Sequence, residues 1–198
     1  TGEIQAAFAK SHESFLAIAK KGEAQVVFLG DSITAGWAGN GKEAFKEYAK
    51  YNAANFGIGG DRVQHVLWRV ENGEFEGIKP KAVVLMIGTN NSGTAENSPE
   101  QIAAGIKNII AAIHKRSPDT KVLLLAIFPR SVPGDPVRDK IAEINRIISK
   151  LDDQQHVFYM VIGAKFLDEA GKRNILGGNA ARLFNLPMKP VKNIPEFD

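Results

Sequence analysis

The chain has 198 residues and a formal net charge of +3, which suits one compact domain with a real core and is too short for two ordinary ones. Apolar residues make up 44% and charged residues 24%; Lys and Arg are interspersed with Asp and Glu rather than massed into the basic patch that nucleic-acid binding needs. There is no cysteine, which excludes disulfides, thiolate metal sites and a cysteine nucleophile.

Residues 4–21 space Phe8, Phe15, Leu16 and Ala19 at helical intervals, and residues 25–29 form an apolar run of strand length. A short helix over 42–50 follows Gly41, and 53–56 is the second apolar run. Residues 62–72 carry Val63, Val66, Leu67 and Val70 on one helical face, ahead of a third run over 82–87. Ser98 and Pro99 supply an N-cap and a first-turn proline for a helix over 99–115 bearing Ile102, Ile106, Ile109, Ile110 and Ile113. A run over 122–127, a helix over 137–151 with Ile141, Ile144, Ile147 and Ile148, and a last run over 157–162 complete the pattern.

Short, near-continuous apolar runs are the mark of strands covered on both faces. Their alternation with helices predicts a three-layer α/β fold, flavodoxin-like, with about five parallel strands and helices on both faces. Residues 1–172 are read as this domain. Residues 173–198, with Pro187, Pro190, Pro195 and the pair Gly177-Gly178, are read as an atypical segment of one short helix over 180–186 and an extended tail.

Ligands of such sheets bind beyond the carboxyl ends of the strands, and three polar sets stand there. Gly30-Asp31-Ser32-Ile33-Thr34 follows the first run; a serine at a strand-to-helix turn is a nucleophile whose own N–H faces a developing oxyanion, or else a helix cap. Asn55-Phe56-Gly57-Ile58-Gly59-Gly60-Asp61 follows the second; its glycines admit close approach of a backbone N–H, or simply make a tight turn. The spacing is not the dinucleotide G-x-G-x-x-G. Gly88-Thr89-Asn90-Asn91 follows the third, offering a carboxamide donor or an ordinary polar turn. Their order after three successive strands favours one site: Ser32 as nucleophile, with the Ser32 N–H, the Gly60 N–H and the Asn90 side chain as donors, and Asp31, Asp61 and Asn91 as substrate-binding neighbours.

These sets resemble blocks I, II and III of the SGNH (GDSL-like) hydrolases. Residues 60–72, with His65, Leu67 and Trp68, and Phe166-Leu167-Asp168-Glu169 resemble the branch near the platelet-activating-factor acetylhydrolase catalytic subunits. The resemblance covers residues 13–171. It implies hydrolysis of short acyl esters, Ser32 as nucleophile, and Gly60 and Asn90 completing the oxyanion hole.

The family's fourth block is an Asp-x-x-His pair soon after the position of Glu169, and no histidine follows His156. His156 and His114 are expected at the amino edge of the sheet, His12 in the first helix, and His65 on a helix leading away from the site. Residues 175–184 instead resemble the carboxyl-terminal segment of amidohydrolase barrels. Loss of the base from a triad costs on the order of 10⁶ in kcat. Three readings follow: a carboxylate, Asp168 or Glu169, acts as substitute base; a second subunit supplies a histidine, a homodimer being one option; or the domain binds acyl or carbohydrate ligands without turnover. A flavodoxin-like binder holding a phosphate at the glycine loop is the remaining alternative. No metal or cofactor is expected, and the partner is a small-molecule ester. No apolar run reaches the ~18 residues of a membrane span. The start at Thr1 leaves the compartment open between cytoplasm and secretion after signal removal.

Overall fold

The computed structural model describes residues 2–131 and 134–163. Residues Thr1–Met160 form one compact unit; the boundary expected at residue 172 lies outside the described residues. Five strands, β1 (Val26–Gly30), β2 (Ala53–Gly57), β3 (Ala82–Met86), β4 (Lys121–Leu125) and β5 (Val157–Met160), make one sheet in the order β2-β1-β3-β4-β5. Every pairing is parallel, which is the flavodoxin-like α/β fold expected above. β1 is flanked by β2 on one side and β3 on the other, so the chain reverses its direction across the sheet there, and ligands of such sheets bind beyond the carboxyl ends of the strands at that point.

The helices are α1 (Gly2–Lys21), α2 (Ser32–Ala35), α3 (Lys42–Phe45), α4 (Val63–Arg69), α5 (Thr89–Ser92), α6 (Pro99–Arg116) and α7 (Pro136–Ile148). Right-handed crossovers place α4, α6 and α7 on one face and the β1-to-β2 connection on the other. One buried cluster spans the first face. It joins Phe15 and Ala19 of α1 and Val63 and Val66 of α4 to the isoleucines of α6 and α7 through Val27, Leu29, Phe56, Val83, Leu85 and Leu124 of the sheet. On the other face Phe28 packs edge-on against Phe45 and Tyr48, at 5.2 and 5.1 Å between ring centres, and Trp37 closes the group.

The long helices start where the sequence signals them. Ser98 caps α6 by accepting the Gln101 N–H, and Asp135 caps α7 by accepting the Val137 N–H, each followed by proline. Residues 42–50 are not one helix: α3 gives way to a 3-10 turn, Lys46–Tyr51, which ends on Asn52 at φ +48°. The one-turn helices α2 and α5 carry no periodic signal, being too short to show one. Among the described residues no helix is long and apolar enough to cross a membrane.

Gly30 and Gly57 are register partners at the carboxyl ends of β1 and β2. A Cβ on Gly57 would stand 2.2 Å from the Ala35 nitrogen and 2.6 Å from the Thr34 carbonyl carbon, both main-chain atoms of α2. Gly57→Ala therefore forces the backbone apart and is expected to destabilise by about 2–3 kcal/mol, the upper range for overpacking. Gly59→Ala, with nothing within 4 Å of the added atom, serves as the comparison. Urea unfolding checks the pair; equal midpoints would mean that α2 does not rest on the strand ends.

Candidate active site

The turn after β1 is built by a cap. Asp31 Oδ1 accepts the Ile33 N–H at 3.0 Å, so Asp31 is the N-cap of α2 and Ser32 its first residue. Ser32 is therefore not the helix cap, the structural alternative open to it from the sequence. It is exposed, and among the described residues its hydroxyl makes no hydrogen bond. Its N–H belongs to the first turn, whose amides have no partner within the helix. Asn55 locks this turn to β2: its Nδ2 donates to the Thr34 carbonyl at 3.0 Å, and its Oδ1 accepts the Gly57 N–H at 2.9 Å.

The loop after β2 starts with Ile58, whose N–H donates to the Gly30 carbonyl at 3.2 Å. A four-residue turn follows, closed by the Asp61 N–H on the Ile58 carbonyl at 3.3 Å. Gly60 stands third in it at φ +81°, the left-handed conformation a type II turn requires there. The turn bond uses the Asp61 N–H and leaves that of Gly60 free of it. Gly59 and Gly60 are exposed, and a Cβ on either would meet nothing within 4 Å.

The loop after β3 bends at Gly88, φ +124°. Asn90 Nδ2 donates to the Asp61 carbonyl at 2.7 Å; a carboxamide has two N–H groups, so one more is at its disposal. Asn91 points inward. Its Oδ1 accepts the Val63 N–H at 2.9 Å, capping α4 from another loop, and its Nδ2 reaches Gln64 and Asn97 at 3.0 Å each. Arg62 pairs with Glu96 at 2.7 Å, and Arg130 donates to the Thr89 carbonyl at 3.0 Å, tying the rim together.

Asp31, Asp61 and Asn91 are 1, 2 and 2% exposed, and their bonds run within the protein. In this conformation they shape the loops. Burial, reinforced by the nearby Asp61 charge, pushes the Asp31 carboxyl up to about 6. Burial also raises that of Asp61, against the opposing pull of Arg69.

The sequence reading missed Arg69. This fully buried residue donates from Nε and Nη2 to Asp61 Oδ2, at 3.0 and 2.8 Å, and from Nη2 to the Phe56 carbonyl at 3.1 Å. It also bonds Glu74 Oε2, whose carboxylate partner oxygen meets His12 Nδ1 at 2.9 Å. An arginine inside an apolar helical pattern is the one available hint, since a helix with so apolar a face leaves little solvent beside it.

The histidines are engaged within the fold, and His65 Nδ1 lies 3.8 Å from Asp61 Oδ1. His65 Nδ1 accepts the Arg62 N–H at 3.1 Å, closing the first turn of α4. His114 Nε2 lies 3.0 Å from the Thr120 carbonyl, and His156 packs edge-on against His114 just before β5, at the amino edge. Asp168, Glu169 and residues 173–198 lie outside the described residues. Among the described residues no three His, Cys, Asp or Glu are grouped to hold a metal ion.

The raised Asp31 carboxyl makes a pH prediction. Its folded pKa, about 6, lies above the ordinary 3.8, so the folded state holds the proton more tightly. That contribution is complete below about pH 4 and is lost as pH rises through 6. Asn caps as well as Asp and does not titrate. Asp31→Asn is therefore expected to gain on the wild type across pH 4–6, by about 2–3 kcal/mol above that window. Urea midpoints from pH 4 to 8 check it; a difference that stays constant with pH would exclude a buried, titrating Asp31.

Residues 28–179 match the GDSL-like Lipase/Acylhydrolase family. Human platelet-activating factor acetylhydrolase IB subunit alpha1 is 42% identical over 138 residues, 69% of this chain and 58% of that protein. The rat alpha2 subunit is 41% identical over the same length and shares. The chain thus spans about 58% of the length of these relatives. A GDSL-like lipase from Bacteroides thetaiotaomicron superposes with TM-score 0.64 at 23% identity, covering 79% of this chain and 78% of that one. A member of the lipolytic G-D-S-L family from Veillonella parvula does so with TM-score 0.64 at 16% identity, covering 81% and 97%. The structures speak for the fold alone; the match over residues 28–179 carries the assignment: the chain belongs to the GDSL-like lipase/acylhydrolase family.

Proposed function

We propose that the carboxyl edge of the sheet is the active site of a serine ester hydrolase that cleaves short acyl esters, with Ser32 as nucleophile and the Ser32 N–H, the Gly60 N–H and the Asn90 carboxamide as oxyanion donors. The observation that carries this reading is the 2.7 Å bond from Asn90 to the Asp61 carbonyl. It brings the third loop to the residue beside Gly60, at the same sheet edge where Ser32 opens α2 with its hydroxyl unengaged among the described residues. The short loops around Ser32 and Asn90 favour small acyl groups over long chains.

In this reading Ser32 Oγ attacks the acyl carbon, and the carbonyl oxygen takes up the negative charge among the three donors. The hydroxyl proton passes to a base and on to the departing alcohol as the ester bond breaks. Water then attacks the acyl-serine, giving the acid and restoring Ser32. We assign the base to a carboxylate, Asp168 or Glu169, acting through water. A second reading, a domain that binds acyl or carbohydrate ligands without turnover, is favoured by a separate observation. His12, His65 and His114 are each bonded within the fold, and no histidine follows His156.

The test is release of p-nitrophenolate from p-nitrophenyl acetate and butyrate. The chain is expected to hydrolyse both, the acetate faster, and Ser32→Ala is expected to fall to the uncatalysed background. Asn90→Ala is expected to lose ~10²–10³ in kcat, the cost of one oxyanion donor. Equal rates for the wild type and Ser32→Ala would reject turnover at Ser32 and leave the binding reading.

A further inference from the structure

We infer that Arg69 is the positioning residue of the oxyanion hole; the inference rests on the site reading given above. Arg69 is the last residue of α4 and is 0% exposed. One of its nitrogens, Nη2, lies 2.8 Å from Asp61 Oδ2, 3.1 Å from the Phe56 carbonyl and 3.5 Å from the Gly30 carbonyl, the last a weak, distant contact. Gly30 stands two residues before Ser32, and Asp61 directly follows Gly60. The Asp61 carbonyl receives the Asn90 carboxamide. A single guanidinium therefore reaches the loop of each of the three donors, two directly and the third through Asp61.

The back of the guanidinium is held as firmly as its front. Nη1 bonds Glu74, Nε bonds Asp61, and the group lies 5.7 Å from the centre of the Phe15 ring. Glu74 can face Arg69 because the chain leaves helical geometry soon after α4: the segment Val70–Glu74 kinks at Asn72 and passes through Gly73 at φ +106°. His12 on the other Glu74 oxygen and the Phe15 ring both come from α1. That helix precedes residue 28, where the match to the family model begins.

Stability alone is a poor account of this cluster. A buried ion network costs so much desolvation that apolar residues of similar volume commonly hold a fold as well or better. Apolar residues could not do what the guanidinium does here, which is to fix carbonyl and carboxylate oxygens at the ends of two strands. Nor could lysine: its ammonium is a point charge, without the planar fork that serves several acceptors at once.

The test uses two variants of the full chain. Arg69→Lys keeps the charge and loses the fork. The triple variant Asp61→Asn/Arg69→Met/Glu74→Gln removes all three charges together, so that folding does not depend on an uncompensated carboxylate. Ser32 is labelled with a fluorophosphonate and followed by mass spectrometry: Oγ bonds to phosphorus, fluoride leaves and the proton goes to buffer, while the phosphoryl oxygen occupies the oxyanion position. In whichever variants are folded by circular dichroism, the saturating labelling rate is expected to fall about 10²-fold, with the half-saturating probe concentration unchanged. A purely structural role would lower the melting temperature and leave the rate of the folded fraction alone; that result overturns the inference.

Amide spectra of ¹⁵N-labelled protein separate this from the site reading. Arg69→Lys is expected to shift the Ser32 and Gly60 amides and the Asn90 carboxamide; unmoved signals in a folded variant also overturn it. If those signals move while wild-type Ser32 takes no label, the positioning geometry stands and ester hydrolysis falls.

Discussion

The first turn of α2 lies directly on the ends of β1 and β2, and at Gly57 this contact is main chain on main chain. Gly30 and Gly57 face each other in register. A Cβ on Gly30 would meet the Met86 carbonyl at 2.3 Å and the Thr34 hydroxyl at 2.4 Å, and one on Gly57 would meet the Ala35 nitrogen at 2.2 Å. The Gly57 contact is with backbone atoms and cannot be relaxed by a rotamer change, so the height of Ser32 above the sheet is set by the backbone. Asn55 then bonds the Thr34 carbonyl and the Gly57 N–H, fixing the remaining rotation. The exposure of Ser32 follows from this seat and from Asp31 having taken the capping role.

The opposite problem, how to keep an exposed glycine loop in one shape, has a different solution. Among the described residues nothing lies within 4 Å of a Cβ added to Gly59 or Gly60, and glycine loses more backbone freedom on folding than any other residue. The order comes from the far side of the turn. Asp61 is held by Arg69 through its carboxylate, by Asn90 through its carbonyl and by Ile58 through its N–H. Asn91 reaches across to cap α4. The polar neighbours of the candidate donors act from beneath, and among the described residues none crowds the outer side of Gly60.

Much of this was legible in the sequence, and the part that was not has a common cause. Apolar runs such as 82–87 became strands because they are short, and a parallel sheet covered on both faces buries so continuous an apolar stretch. The three polar sets fell beyond strand ends because each follows such a run directly. Chain order could not reveal that Arg69, Glu74 and His12 meet, since His12 and Glu74 are 62 positions apart and the chain must leave helical geometry after α4 to bring Glu74 back. Asp31, Asp61 and Asn91 sit in the loops where the motifs put them. Their inward direction depends on which amides need a cap, and that is settled only when α2 and α4 stand beside the strands. The one-turn helices α2 and α5 have no periodicity to read.

Under the proposed reading, the electrostatics of the site can be followed from the proton's side. Burial pushes the Asp31 carboxyl up to about 6, so negative charge beneath the loops needs compensation, and an oxyanion at their surface needs donors of its own. Two features supply these. Nε and Nη2 of Arg69 hold a full positive charge within 3.0 Å of Asp61, so that carboxylate presents a near-neutral pair to the loop it supports. The donors proposed for the oxyanion are dipoles, two amides and a carboxamide, fixed before any substrate arrives and needing no reorganisation when charge develops. A cation placed on the exposed loop would instead compete with Arg69 for Asp61 and slacken the turn that aims the Gly60 N–H. A carboxylate neutralised by Arg69 below the loop and oriented dipoles above it is the arrangement that serves both the fold and an oxyanion.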